Sequence, residues 1–237
     1  MLPPQGRVIL VSGASRGIGR AVAEALYAAG YSVSMGARDT TSLAEIAAGW
    51  DPARVHCARY DAVDWATHEA WVREAAEHFG RIDGLVNNAG MHSAVTLRAP
   101  DSAALDLAWA VNCKAPLNMI SLALPWLEAC GNGRIVNVAS MSGKRVRNDN
   151  VAYNMTKFAL MALTHNARRI SWDKGVRATA VCPSFVQTDM TAAMTAVPRE
   201  KMTRPQDLGA LVVTAIGLPD EASVAELLVN CRLEDTL

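Results

Sequence analysis

The chain has 237 residues, of which 51% are hydrophobic, and this is enough for one α/β domain with a sizeable core. Its 23 basic and 23 acidic residues give a formal net charge of zero, which excludes a strong overall field toward nucleic acid or an anionic membrane. The five cysteines are odd in number and lack CxxC spacing, which indicates reduced thiols in a cytoplasmic protein. No apolar run is long enough for a secretion signal or a membrane span, so neither a membrane nor nucleic acid is an expected partner.

Short β-rich runs alternate with longer helical patterns along the chain. The predicted strands are 7–12, 31–37, 54–60, 82–87, 133–140, 176–182 and 224–229. The predicted helices are 18–29, 41–49, 64–79, 101–129, 151–173 and 206–217. Continuously apolar strands joined by helical crossovers predict an α/β fold, a doubly wound parallel sheet (Rossmann fold) of about seven strands with helices on both faces. We expect one domain over 1–237, in which the irregular stretch 184–203 forms a substrate lid.

A glycine-rich turn follows the first predicted strand, in the sequence RVILVSGASRGIGRAVAEAL. Gly13, Gly17 and Gly19 let the backbone approach a pyrophosphate, and the helix from Ile18 onward points its N-terminal amides at the same anion. The spacing GxxxGxG matches the general GxGxxG fingerprint only in part, so a purely structural turn is the alternative. Its place after the first strand favours a dinucleotide site, because open α/β sheets bind ligands at the carboxyl ends of their strands.

The end of the second predicted strand, MGARD, bears on the choice of coenzyme. NAD(H) binding usually places a carboxylate there for the ribose 2′-OH, but Ala37 occupies the position and Arg38 follows. Arg16 lies in the glycine turn on the same edge, and two guanidiniums suit a 2′-phosphate. The sequence therefore predicts NADP(H). NAD(H) remains possible, because Asp39 could bind a bare ribose.

The stretch YNMTK sets Tyr153 and Lys157 four residues apart, on one face of a predicted helix. A free phenol titrates near about 10, and a nearby ammonium favours its ionised form. This pair predicts a tyrosine tuned for proton transfer, and an ordinary helix surface is the alternative. Ser140, which ends a strand at the carboxyl edge of the sheet, favours the catalytic interpretation.

Several ordered motifs together resemble the short-chain dehydrogenase/reductase family in its compact single-domain branch. They are SGASRGIG (12–19), YDAVD (60–64), NNAG (87–90), VN (111–112), IVNVAS (135–140), YNMTK (153–157) and CPSFVQTDM (182–190). The resemblance implies that Tyr153 is the general acid/base and that Lys157 holds the nicotinamide ribose and lowers the Tyr153 pKa. It also implies that Ser140 hydrogen-bonds the reacting oxygen of the substrate and that Asn112 holds a water in the proton relay.

The same resemblance adds coenzyme contacts to those of the glycine turn and the two arginines. It implies that Asp61 contacts the adenine, that Asn87 and Gly90 lie beside the coenzyme, and that Thr188 contacts the carboxamide. The full set of expected coenzyme contacts is Gly13, Ser15, Arg16, Gly17, Ile18, Gly19, Arg38, Asp61, Ala62, Asn87, Ala89, Gly90, Tyr153, Lys157, Pro183, Val186 and Thr188.

The function predicted from these residues is NADP(H)-dependent hydride transfer between the nicotinamide and a ketone, an aldehyde or a secondary alcohol. The alternatives are a non-catalytic NADP(H)-sensing regulator of the same fold and an NAD(H)-dependent alcohol dehydrogenase. A nucleotide-sugar epimerase or dehydratase is less compatible with 237 residues, because such relatives carry a larger substrate domain. No cluster of metal ligands is evident, so no metal is expected.

Substrate contacts are expected from 91–93, 142–148 and the lid at 184–203. Lys144, Arg145 and Arg147 either attract an acidic carbonyl substrate or form a solvated loop. Ser184 follows Pro183 where the resembling family usually has glycine, which predicts a less permissive backbone there. The long helices at 101–129 and 151–173 are the expected interface of a homodimer, with a homotetramer as the second possibility.

Overall fold

The computed structural model describes residues 1–234, and it contains a seven-stranded parallel sheet in the order β3-β2-β1-β4-β5-β6-β7. The expected doubly wound sheet is thereby confirmed. The strands are β1 (Val8–Ser12), β2 (Ser32–Ala37), β3 (Val55–Arg59), β4 (Gly84–Asn87), β5 (Arg134–Val138), β6 (Arg177–Pro183) and β7 (Glu226–Val229). Each agrees with a predicted strand to within a few residues.

Helices cover both faces of this sheet. They are α1 (Gly17–Ala28), α2 (Thr40–Ile46), α3 (Trp65–Phe79), α4 (Ser102–Trp109), α5 (Ala115–Ala129), α6 (Val151–Ile170) and α7 (Pro205–Gly217). One core contains Leu26 of α1 and Leu208 of α7 beneath the sheet, and a second contains Trp71 of α3 and Met119 of α5 on the opposite face. The strands read as continuous apolar runs because both of their faces are buried.

The order of the strands reverses next to β1, which pairs with β2 on one side and with β4 on the other. At such a switch point the loops after neighbouring strands diverge to opposite faces and leave a crevice at the carboxyl edge of the sheet. The glycine turn follows β1, and the segment NNAG begins in β4, so both lie at this crevice.

The helix predicted over 101–129 is interrupted. A π-helical segment, Ala110–Lys114, separates α4 from α5. Pro116 lacks the N–H that would donate to the carbonyl of Asn112 four residues earlier, which removes an α-helical hydrogen bond at this place. Periodicity did not reveal the change, because a single widened turn leaves the apolar pattern on either side intact.

Two other helices are shorter than predicted. Helix α6 ends at Ile170 where 173 was expected, and a separate 3-10 turn (Trp172–Lys174) follows, ended by Gly175 at φ +78°. Helix α2 ends at Ile46 where 49 was expected, and Gly49 at φ +84° lies beyond it. A positive φ is incompatible with continuing a right-handed helix, and glycine adopts it without strain.

The stretch 184–203 contains no long helix or strand. It has two short 3-10 turns, Asp189–Thr191 and Arg199–Lys201, and an isolated bridge joins Val186 to Thr203 at its base. Within residues 1–234, none of the helices combines the length and apolar character that crossing a membrane would require.

Candidate active site

A cleft of about 1340 Å³ lies at the carboxyl edge of the sheet. Loops after six strands contribute to its wall, and they include Gly13 after β1, Arg38 after β2, Asp61 after β3, Asn88 after β4, Ser140 after β5 and Ser184 after β6. The segment 184–203 contributes Phe185, Met190 and Met194 to one side of the cleft. The cleft is larger than a typical pocket for one small ligand, so it has room for a dinucleotide together with a second molecule.

The glycine turn has the close approaches that the sequence predicts. Gly13 and Gly17 have φ values of +65° and +56°, a region that side chains with a Cβ rarely adopt. A Cβ on Gly19 would lie 2.2 Å from the carbonyl oxygen of Gly13, so helix α1 packs directly against the turn. The N-cap residue of α1, Arg16, provides no side-chain cap, which leaves the first N–H groups of the helix available to an anion.

Asn88 holds the glycine turn in place, a role that sequence reasoning did not assign. Its side-chain amide donates to the carbonyls of Ser12 and Gly13, at 3.0 and 3.1 Å. The Ser12 hydroxyl in turn accepts from the N–H groups of Asn88 and Ala89. This bracing joins the ends of β1 and β4. The presence of both NNAG and a glycine turn could have indicated such a contact. Which of the two asparagines reaches the turn depends on the geometry of the sheet.

Asn150 positions the start of α6 and is a second residue that sequence reasoning missed. Asn150 is the N-cap residue of α6, and its Oδ1 accepts a hydrogen bond from the N–H of Tyr153, three residues later, at 3.0 Å. Its Nδ2 lies 2.8 Å from a ring nitrogen of His92, whose ring centroid is 5.3 Å from that of Tyr153. The sequence did offer a signal for this role, because an asparagine directly before a predicted helix is a preferred N-cap.

Tyr153 and Ser140 both line the cleft. Burial raises the pKa of Tyr153, and the nearby Ser140 side chain offsets this in part. Ser140 is itself fixed, because its Oγ accepts from the N–H of Ser142 at 3.0 Å at the start of the 3-10 turn Met141–Gly143. Both hydroxyl-bearing residues therefore belong to the wall of the same cleft.

Lys157 lies one turn along α6 from Tyr153, with its ammonium 5.6 Å from the centre of the tyrosine ring. The Nζ donates to the carbonyl of Val138 at 2.9 Å, and the side chain is buried. Burial lowers the pKa of Lys157 to about 8. Desolvation of the phenolate is the largest influence on the pKa of Tyr153, and the expectation that Lys157 lowers this pKa stays a prediction.

Asn112 lies in the π-helical segment, and both polar atoms of its side chain have partners. Its Oδ1 accepts from the N–H of Met91, and its Nδ2 donates to the carbonyl of Met91 and to the hydroxyl of Thr156. The side chain therefore clamps the loop after β4 to α6. The Oδ1 accepts one hydrogen bond here and has a second lone pair, so the expected contact with a relay water stays a prediction.

Most of the expected coenzyme contacts line the cleft together. They are Gly13, Ser15, Arg16, Gly17, Ile18, Arg38, Asp61, Ala62, Ala89, Gly90, Tyr153, Lys157, Pro183, Val186 and Thr188. Gly19 and Asn87 do not line it. Gly19 faces the back of the glycine turn, and the amide of Asn87 points along the sheet to donate to Asn137 at 2.9 Å. Asn88 lines the cleft in place of Asn87.

The residues that bear on coenzyme choice differ in how they are engaged. Arg38 is exposed at the cleft, and Arg16 forms a 3.3 Å ion pair with Asp189 in which both side chains are more than 70% exposed. Such an exposed pair is easily exchanged for another anion. Asp39 caps α2, where the Ser42 hydroxyl and the Thr41 N–H hold the pKa of its carboxyl below the ordinary value.

The basic residues after Ser140 are each paired with a carboxylate, and Arg147 is exposed as well. Lys144 pairs with Glu226 at 2.6 Å, and Arg145 and Arg147 both bind Glu234, at 2.9 and 3.2 Å. The sequence could not show these pairs because the acidic partners lie more than 80 positions further along the chain.

Ser184 needs no glycine-like backbone, since no non-glycine residue in the described chain has a positive φ. Its hydroxyl accepts from the N–H of Cys231 at 3.1 Å and so holds the segment that follows β7. Across residues 1–234, no group of three or more His, Cys, Asp or Glu side chains is placed to bind a metal.

A parallel sheet with a glycine turn at its switch point, and a Ser-Tyr-Lys cluster beside it, define a dinucleotide-binding oxidoreductase. The family model described as short chain dehydrogenase matches residues 7–198. The chain belongs to this family, as the motifs had indicated.

Relatives and solved structures agree with this assignment. The chain is 48% identical over 231 residues to agropine synthesis reductase of Rhizobium rhizogenes, covering 97% of this chain and 54% of that protein. It is 32% identical to an uncharacterized oxidoreductase of Staphylococcus saprophyticus, with 97% of this chain and 99% of that protein covered. The structure of an alcohol dehydrogenase from the archaeon Thermococcus sibiricus, complexed with 5-hydroxy-NADP, matches with a TM-score of 0.88 at 27% identity, covering 96% of this chain and 99% of that one.

The chain thus spans about half the length of the agropine synthesis reductases that it matches, and nearly the whole length of the staphylococcal relative.

Proposed function

We propose that the chain is an NADP(H)-dependent reductase of ketones or aldehydes, which also oxidises the corresponding secondary alcohols, with Tyr153 as the general acid/base. The observation that carries the proposal is the placement of Ser140, Tyr153 and Lys157 on the wall of the cleft that begins at the glycine turn. The glycine turn fits a dinucleotide. Neither Gly13 nor Gly19 has room for a Cβ, so the turn depends on glycine, and the N-terminus of α1 is uncapped.

The coenzyme, when bound, supplies or accepts the hydride. The protein supplies position and a proton. Ser140 fixes the carbonyl oxygen of the substrate, and the Tyr153 hydroxyl delivers its proton to that oxygen. A raised pKa keeps Tyr153 protonated at neutral pH, which is the form needed for reduction. The buried ammonium of Lys157 then stabilises the phenolate that remains.

The preference for NADP(H) over NAD(H) rests on charge at the end of β2. Arg38 is exposed at the cleft, and Arg16 can exchange its exposed partner Asp189 for a 2′-phosphate. Asp39, the carboxylate that could have bound a bare ribose, is engaged in capping α2. The Thermococcus alcohol dehydrogenase of the same fold was solved with an NADP derivative.

A lid and an oligomer complete the proposal. The segment 184–203 lines the cleft and would cover a bound substrate. Helices α5 and α6 present Leu117, Met155 and Phe158, which are 52%, 47% and 43% exposed, as the surface of a homodimer, with a homotetramer as the alternative. Large apolar side chains exposed together are typical of protein interfaces.

The experiment that tests the activity is substitution of Tyr153 by phenylalanine. We expect NADPH oxidation with a panel of ketones and aldehydes in the unaltered protein, and a loss of roughly 10²- to 10⁴-fold in kcat for Tyr153→Phe, because the proton donor is removed. NADPH affinity, measured by fluorescence titration, should change little. Binding of NADPH without any oxidation across the panel would instead indicate the sensing regulator.

A further inference from the structure

The segment 230–234 that follows β7 reaches the cleft through one buried carboxylate. Leu233 is 88% exposed, whereas the side chain of Glu234 is fully buried. Within the described chain, its carboxylate has two partners, Arg145 and Arg147. Two guanidiniums therefore hold one buried carboxylate at this place.

The geometry of Arg145 is that of a two-pronged clamp. Its Nε and Nη2 donate to the two oxygens of Glu234, at 3.1 and 2.9 Å, which is the bidentate arrangement that gives the strongest and most directional pairing. Arg147 adds a contact of 3.2 Å to one of the same oxygens. The Nη1 of Arg145 has no hydrogen-bond partner among residues 1–234, so the guanidinium retains an unused donor.

This site belongs to the cleft. Arg145 and Arg147 line it together with Ser140 and Tyr153, from a loop that begins just after Ser140. The segment that carries Glu234 is held lightly. In the described part of the chain, the Cys231 N–H donates to the hydroxyl of Ser184, that hydroxyl donates to the Cys231 sulfur, and the Arg232 guanidinium lies over the Phe185 ring. Few interactions would therefore break if Glu234 left the arginines.

We propose that Arg145 and Arg147 recognise a carboxylate group on the substrate, and that Glu234 occupies their site until the substrate displaces it. This inference rests on the proposed function. It names the substrate class as carbonyl compounds that carry a carboxylate, together with their hydroxy acids. Glu234 acts as an internal competitor, so it weakens the binding of acidic substrates and leaves neutral ones unaffected.

The test compares two aldehydes that differ in one charge, 4-formylbenzoate and its methyl ester. For Glu234→Gln we expect kcat/KM for the acid to rise about tenfold, the size of one charge-assisted hydrogen bond, with the ester changing less than about twofold. Arg145→Gln should lower kcat/KM for the acid by about tenfold, and combining the two substitutions should abolish the gain from Glu234→Gln. Arg169→Gln, at an exposed arginine of α6 outside the cleft lining, is the matched control.

A structural role for Glu234 predicts a different result. If Glu234→Gln alters kcat/KM for acid and ester alike, or if Arg145→Gln does, the carboxylate site is overturned while the reductase activity stands. Calorimetric titration of each aldehyde into the NADP⁺ complex gives a readout apart from turnover. Binding of the acid that Arg145→Gln weakens, without turnover of either aldehyde, would support the site and count against the reductase. Equal binding of both aldehydes, or binding of neither, would overturn the site.

Discussion

Lys157 carries a charge in surroundings that penalise it. Burial lowers its pKa from 10.5 to about 8, so between these values the unfolded chain holds a proton that the folded protein has released. Stability contributed by this site therefore rises with pH across that window and is lowest below pH 8. The lysine thus occupies a position where its charge reduces stability, as a functional charge in a cleft does.

The first prediction at this scale is that Lys157→Met stabilises the protein at pH 7 while it impairs reduction. The free energy of unfolding should rise by about 2 kcal/mol, since the desolvation penalty disappears and one hydrogen bond to the Val138 carbonyl is lost. Urea unfolding at pH 7 and pH 9.5 measures it, and the difference from the unaltered protein should shrink at the higher pH. A less stable Lys157→Met protein at pH 7 would show that the bonds of the lysine outweigh its desolvation.

Arg38 gives a prediction about the coenzyme. Substituting Arg38 by glutamine should raise the KM for NADPH by roughly 10- to 100-fold and leave the KM for NADH nearly unchanged, because the lost partner binds only the 2′-phosphate. Arg20→Gln is the matched control, an exposed arginine of α1 that pairs with Glu24. Equal changes for both coenzymes would place Arg38 elsewhere in the site.

At the scale of elements, the glycine turn is a contact between the end of β1 and the start of α1. The chain direction reverses there with two positive φ values, and the helix lies so close that Gly19 has no space for a Cβ. Asn88, which directly follows the neighbouring strand β4, hydrogen-bonds the turn through its side-chain amide. The motif gave the positions of these glycines correctly, whereas the neighbour that braces them required the order of the strands.

Gly19→Ala should therefore damage both the turn and coenzyme binding. The added methyl group would displace backbone, at a typical cost of about 1–3 kcal/mol, and we expect at least a roughly tenfold loss of NADPH affinity. Gly80→Ala is the comparison, since Gly80 ends α3 at φ +73° with open space around it. It should lower the melting temperature through backbone strain alone and leave NADPH affinity intact. Unchanged affinity in Gly19→Ala would show that the turn does not bind the coenzyme.

Some predicted helices were too long or merged two observed helices, and they show why element boundaries are harder to predict than element types. The apolar pattern of 101–129 is continuous, but Pro116 removes one main-chain donor and a π-helical segment forms around Asn112. The amide of Asn112 then clamps Met91 and Thr156. This interaction joins residues 21 and 44 positions apart, and no local pattern encodes it.

At the scale of the whole molecule, the proposed dimer makes a direct prediction. Phe158→Asp should convert the dimer to a monomer in sedimentation or light scattering, because it places a charge in the apolar surface of α5 and α6. Leu97→Asp, at an 87% exposed leucine outside the helices, should leave the assembly unchanged. A dimer that persists in Phe158→Asp would move the interface to another surface.

The sequence by itself determined the α/β class, the seven strands and the glycine turn, because each depends on local periodicity or on a short motif. Short motifs also singled out Ser140, Tyr153 and Lys157 as candidate site residues. The tertiary structure decided what these groups experience. It raises the pKa of Tyr153 by burial, engages Asp39 as a helix cap, and brings Glu234 to Arg145 across 89 positions of the chain. Desolvation and ion pairing depend on which distant segments meet, and only the folded chain brings those segments together.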